Sequence, residues 1–152
     1  MRGPNGEELP GAILFACTLN ATRSPMAAAM MRHLFGRFTY VESAGVRAGE
    51  LDPLAVAVME EIGIEIGKHK PRSFEDLEES TFDLIVTLSP EAHHKALSFT
   101  HTMAVEVEYW PTEDATAYEG TREQMLDHYR TVRDELMNKI MARFAVERAG
   151  ET

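Results

Sequence analysis

Two short, largely apolar runs constrain this chain more than any other feature: residues 12–16 (Ala-Ile-Leu-Phe-Ala) and 84–88 (Leu-Ile-Val-Thr-Leu). Runs of this length without polar alternation suit strands of a parallel sheet buried on both faces. Soon after each comes Ser-Pro, at Ser24-Pro25 and Ser89-Pro90. A serine N-cap with proline at the first helical position opens a helix. After the first, Met26, Met30, Leu34 and Phe35 recur at helical spacing and Gly36 supplies a stop. The pattern repeats: residues 39–43 read as a strand, and Asp52-Pro53 opens a helix carrying Val56, Met59 and Ile62 before Gly63. Val105, Val107 and Tyr109 alternate with Glu106 and Glu108, which predicts an edge strand with one wet face. Thr121 with Gln124 reads as a capping box, opening a long helix with Leu126, Tyr129, Val132, Leu136, Ile140 and Phe144 on one stripe. Strands alternating with helices give an α/β domain whose mostly parallel sheet, of about four strands, is covered on both sides.

In such sheets ligands bind beyond the C-terminal ends of the strands, and the first predicted strand ends at Ala16, directly before Cys17. From there the chain reads Cys17-Thr18-Leu19-Asn20-Ala21-Thr22-Arg23-Ser24, a Cys-x5-Arg-Ser spacing. A short loop closing onto a helix N-terminus turns consecutive backbone N–H groups inward and makes an anion nest. The helix adds unpaired N–H groups and the positive end of its dipole. Arg23, at the loop exit, has the planar fork that holds two oxygens of a phosphate-like anion. The same groups draw the proton from a thiol, whose reference pKa is ~8.5, and make Cys17 a nucleophile aimed at phosphorus. Ser24 can donate a hydroxyl hydrogen bond to that sulfur as well as cap the helix. Asn20 suits a left-handed turn position. Transfer from an ester also needs an acid for the leaving oxygen and a base for water. Asp114 is the candidate, just past the last strand in Trp110-Pro111-Thr112-Glu113-Asp114, and Glu113 is the alternative. No Gly-x4-Gly-Lys-Ser/Thr pattern is present. His93 and His94 are adjacent on a predicted helix, which places them on its surface pointing in different directions, and no metal set emerges.

The 152 residues fit one domain. The reading is a flexible N-terminal tail at 1–10 and a single domain over 11–148. With 15 Lys and Arg against 25 Asp and Glu, the net charge of −10 argues against nucleic acid or an anionic membrane as partner. An anion must then be captured by a local, pre-formed site. One cysteine forms no internal disulfide, and no apolar run approaches the ~20 residues of a membrane span, so a cytoplasmic protein is expected. The expected partners are a phosphorylated protein or small phosphomonoester substrate, with no cofactor, and a monomer or weak dimer. The acidic stretches at 75–79 and 106–108 are candidate partner faces for a catalytically weak binder, although charge runs are usually solvated.

These residues resemble the low-molecular-weight protein tyrosine phosphatase family and the arsenate reductases that share its fold. The resemblance runs from Ile13 to about Phe144. It rests on the loop from Cys17 to Ala27, on Ser43-Ala44-Gly45-Val46, on His69-Lys70-Pro71-Arg72-Ser73, on residues 82–88, and on Trp110 with Asp114. It implies a phosphotyrosine protein phosphatase I-like fold, a three-layer α/β/α sandwich with a four-stranded parallel sheet. It also implies Cys17 as nucleophile, Arg23 as oxyanion clamp and Asp114 as general acid and later base. Asn20, Ser24 and Ser43 would hold the phosphate-binding loop, which includes Thr18, Leu19, Ala21 and Thr22. The implied mechanism passes through a phosphocysteine intermediate without metal. Three departures stand out. Ala115 replaces the proline that usually follows the acid. Tyr118 is the one aromatic in the stretches that form an aromatic slot in phosphotyrosine-directed members. Thr22 stands where many relatives carry a second cysteine. A thioredoxin-coupled reductase needs further cysteines, so arsenate reduction here would use an external thiol such as glutathione or mycothiol.

Overall fold

The computed structural model describes residues 9–77, 81–98 and 104–145. Four strands, β1 (Ala12–Cys17), β2 (Tyr40–Gly45), β3 (Leu84–Thr87) and β4 (Glu106–Tyr109), form one sheet in the order β2-β1-β3-β4. Every pairing is parallel. The helices are α1 (Arg23–Phe35), α2 (Pro53–Glu60), α3 (Pro90–Leu97) and α4 (Arg122–Phe144), with 3-10 turns at Phe74–Leu77 and Ala115–Ala117.

The all-apolar β1 is buried because both faces are covered. Ile13, Phe15 and Cys17 face a core shared with α1, α2 and α4, where Met26, Met30, Met59, Tyr129 and Leu136 pack. Leu14 and Ala16 face a smaller core with Ile85, Ala92 and Ala96 on the α3 side. β4 is an edge strand, as predicted, with β2 at the other edge; Val107 and Glu108 are half-buried, whereas Glu106 and Tyr109 are exposed, so the burial does not follow the expected alternation. The whole predicted stripe of α4, from Leu126 to Phe144, is buried, and its capping box is formed in both directions. Asp52 caps α2 by accepting from the Leu54 amide, and Ser89 caps α3 by accepting from the Ala92 amide.

Several expectations need correction. Helix α1 starts at Arg23, with Thr22 at the N-cap position and no side-chain cap. Ser24 is therefore inside the helix, and its hydroxyl is used elsewhere. Helix α2 ends at Glu60, so Ile62 lies past it and is exposed. His93 does not sit free on the surface: its ring stacks on Tyr109 at 4.7 Å, and its Nδ1 lies 3.0 Å from the Thr87 hydroxyl. The tail expected over 1–10 does not reach Leu9, which is 3% exposed in the larger core, while residues 1–8 lie outside the described residues. Of the acidic stretches, Glu75 pairs with Lys95 and Glu108 with Arg143; residues 78–80 lie outside the described set. Among the described residues no helix is long and apolar enough to cross a membrane.

Strand register places the site. Cys17 pairs with Gly45, Ala16 with Thr87, and Thr87 with Tyr109, so the C-terminal ends of all four strands finish along one edge. The loop of residues 18–22 rises from that edge.

Candidate active site

The loop is shaped by what its carbonyls do. The Cys17, Thr18, Leu19 and Ala21 carbonyls accept from the amides of Val46, Arg47, Gly49 and Asp52, at 2.8 to 3.1 Å. With the carbonyls bonded outward to the segment after β2, the opposite sides of the peptides face inward. The amides of Thr18 to Thr22 donate no hydrogen bond among the described residues. Consecutive unpaired N–H groups around a concavity are an anion-binding nest. Gly45 makes this approach possible, since a Cβ there would meet the Asn20 nitrogen at 2.7 Å and the Leu19 carbonyl carbon at 2.8 Å.

Asn20 anchors the turn. It is fully buried, and its φ of 55° lies in the left-handed region that asparagine tolerates better than most residues. Its Nδ2 donates to Ser24 Oγ at 2.9 Å, and its Oδ1 accepts from the Arg72 amide at 2.9 Å. His69 Nε2 lies 3.1 Å from Asn20 Oδ1 and 3.2 Å from its carbonyl oxygen. Both neighbours are acceptors, so that nitrogen carries the hydrogen. Burial, with help from the Arg32 charge and against the Asn20 hydrogen bond, lowers the His69 pKa and favours this neutral form. Ser24 Oγ in turn lies 2.9 Å from Cys17 Sγ. Because Asn20 supplies a proton to that hydroxyl, the hydroxyl's own hydrogen is available to the sulfur.

A second support comes from α4. Tyr129 donates its hydroxyl to Asp52 Oδ2 at 2.5 Å, and Thr22 Oγ1 donates to the same oxygen at 3.0 Å. Burial, the Asp52 hydrogen bond and the charges of Asp52 and Asp114 hold the Tyr129 phenol well above its usual pKa, so it remains a donor. Arg23 is pinned by an Nη1 bond to the Thr112 carbonyl at 3.0 Å and is 9% exposed.

Together these elements enclose a recess of about 120 Å³ lined by Cys17, Thr18, Leu19, Ala21, Thr22, Arg23, Asp114 and Thr116. Cys17 is 2% exposed, so only the recess reaches its sulfur. Asp114 Oδ1 accepts from the Thr116 amide at 2.9 Å and its hydroxyl at 2.6 Å. Glu113 is exposed and does not line the recess. Asn20 and Ser24 lie behind the loop rather than in its wall. Ser43 stands further back, its carbonyl accepting from Arg72 Nε at 3.3 Å. Tyr118 stacks on His128 at 3.8 Å and leaves the recess without an aromatic wall. Sequence reasoning gave no role to Asp52 toward Thr22, to Tyr129, or to Thr116. Asp52 reads in sequence only as a helix cap, and nothing in a linear pattern brings Tyr129 to it. No three His, Cys, Asp or Glu side chains converge as a metal set among the described residues.

The model for low molecular weight phosphotyrosine protein phosphatase matches residues 12–147. The chain belongs to that family. It is an enzyme of this phosphatase-like class, and its relatives within the class carry different names. The arsenate reductase of Bacillus subtilis is 34% identical over 129 residues, which are 84% of this chain and 91% of that protein. The low molecular weight protein tyrosine phosphatase from T. tengcongensis superposes with a TM-score of 0.68 at 28% identity, covering 85% of this chain and 94% of its own. An arsenate reductase in its oxidized state gives 0.71 at 25%, covering 87% and 95%. These likenesses agree with the four-stranded parallel architecture.

Proposed function

We propose that the protein hydrolyses phosphate monoesters through a phosphocysteine intermediate. The observation that carries this reading is the convergence of Cys17, Arg23 and Asp114 on one recess whose loop amides are unpaired. In the first step the Cys17 thiolate attacks phosphorus, and the S–P bond forms as the P–O bond to the leaving group breaks. Asp114, in its protonated form, gives its proton to the departing oxygen. The loop amides and the remaining Arg23 N–H groups hold the phosphoryl oxygens, whose charge grows in the transition state. In the second step Asp114, now a carboxylate, takes a proton from water. The water oxygen displaces sulfur, releasing phosphate and restoring the thiolate. Ser24 Oγ, 2.9 Å from Sγ, stabilises sulfur as a leaving group in this step. Asp114 is favoured over Glu113 because only Asp114 lines the recess.

A second reading is favoured by the name of the curated relatives, arsenate reductase. With one cysteine in the chain, no intrachain disulfide can drive that reaction. Two external thiols would supply the electrons: one attacks the sulfur of a Cys17–arsenate ester and releases arsenite, and the second resolves the mixed disulfide.

The test is turnover of p-nitrophenyl phosphate across pH. Wild type is expected to work best at mildly acidic pH, Cys17→Ser to be inactive, Asp114→Asn to lose ~10²–10⁴-fold, and Glu113→Gln to match wild type. Equal activity of Cys17→Ser and wild type rules out the mechanism. Arsenate-dependent oxidation of glutathione or mycothiol, without monoester turnover, selects the second reading.

A further inference from the structure

A second hollow, of about 150 Å³, shares no residue with the Cys17 recess. Ala28 and Arg32 of α1, Ser43 of β2, and Glu65, Lys68 and His69 contribute to its wall. Its wall brings two cations together in an acidic molecule. Arg47, Arg72, Lys95, Arg130, Arg133 and Arg143 each meet a carboxylate. Arg32 and Lys68 meet none among the described residues. Among the described residues the Arg32 side chain makes one hydrogen bond, from Nη2 to the Val41 carbonyl at 2.9 Å. Glu65 adds one carboxylate to the same wall, its Oε1 accepting from the Gly67 amide of its own turn, and the two cations outnumber it. Desolvation, and then the nearby Arg72 charge, lower the Arg32 pKa, with Tyr40 opposing. The volume is well below the ~300 Å³ at which pockets for organic ligands begin, which suits a small anion.

The same hollow touches the phosphate loop. His69 forms part of its wall and also holds Asn20 through Nε2. We propose that this hollow is a second oxyanion site, taking free phosphate or a comparable small tetrahedral anion between Arg32 and Lys68, and coupled to the catalytic loop through His69 and Asn20. An anion there changes the electrostatic surroundings of the imidazole that fixes the left-handed turn. By linkage, occupancy of either site then alters affinity at the other. The binding claim stands independently of the catalytic reading, because its test reads binding and not turnover.

The experiment is a titration of the full chain with inorganic phosphate, followed by two-dimensional amide NMR. Saturable shifts are expected at Ile66, Lys68 and His69, with a dissociation constant distinct from that read at Thr18 to Thr22. Lys68→Glu, a change at an exposed position, should abolish the first set while the loop still binds phosphate. Arg32→Gln should weaken the first set roughly tenfold, the cost of one charge-assisted contact. Coupling predicts that the loop dissociation constant differs at least twofold between wild type and Lys68→Glu. The site is refuted if the Ile66, Lys68 and His69 amides stay still. It is equally refuted if they move only in step with the loop, or if Lys68→Glu leaves their shifts unchanged. Equal loop dissociation constants in the two proteins refute the coupling.

Discussion

Ser24 shows how much one hydroxyl carries. As a cap it would serve only α1. Inside the first turn it receives the Asn20 amide hydrogen and faces the sulfur. Hydrogen bonds to charged groups contribute about 1.5–3 kcal/mol, so Ser24→Ala should weaken sulfur as the leaving group of the second step. Turnover of p-nitrophenyl phosphate is expected to fall by roughly tenfold or more. An unchanged rate would mean that the loop amides alone stabilise the sulfur. Arg23 is held by Thr112 through one N–H, and the proposed mechanism uses the rest of its fork for substrate. Cys17, Arg23 and the turn at Asn20 were legible in sequence because their chemistry depends on spacing along one short loop. Asp114 was legible only as one of two neighbouring acids, since the choice depends on which side the 115–117 turn presents to the recess.

At the scale of elements, the site is a loop clamped between the end of β2 and helix α4. The β2 clamp depends on Gly45, where a Cβ would press on backbone that cannot move aside. Gly45→Ala is expected to cost about 1–3 kcal/mol, as overpacking does. Thermal unfolding should show this as a fall of roughly 2–10 °C for a chain of this size, with activity falling further because the loop itself is displaced. The α4 clamp runs from Tyr129 through Asp52 to Thr22. Tyr129→Phe keeps the ring in the core and removes the donor. Urea unfolding should register a loss of about 1–3 kcal/mol, the range for a hydrogen bond to a charged group. No measurable loss would show that Thr22 and the Leu54 amide already satisfy Asp52. Most elements were anticipated to within a residue or two, because caps and periodicity are local. The cap of α1 differs: the turn at Asn20 and Thr22 carries the chain into helical geometry at Arg23, one residue before the serine expected as its cap.

For the molecule as a whole, the acidic balance is managed by pairing. Glu61, at the end of α2, meets both Arg130 and Arg133 of α4. The Arg130 hydrogen bonds, with Arg133 adding to them and desolvation opposing, lower its pKa from 4.5 to about 2. A carboxyl depressed on folding stabilises the native state fully above its unfolded pKa, and that contribution disappears as pH falls through the folded value. The melting temperature of wild type should therefore decline between about pH 5 and pH 2 more steeply than that of Glu61→Gln. Parallel declines would assign the acid sensitivity to other carboxylates.

The sequence by itself determined the α/β class, the site at the C-terminal edge of β1, and the Cys17 to Ser24 loop. Burial pattern, capping chemistry and motif spacing all act over a few residues and can be read in order. Only the tertiary structure decided the rest. Asp114 rather than Glu113 lines the recess, Asp52 and Tyr129 reach across from α2 and α4 to hold Thr22, and His69 joins Asn20 to a second hollow. These are contacts between segments separated by tens of residues. Their partners are chosen by how helices pack on the sheet, which no local pattern encodes.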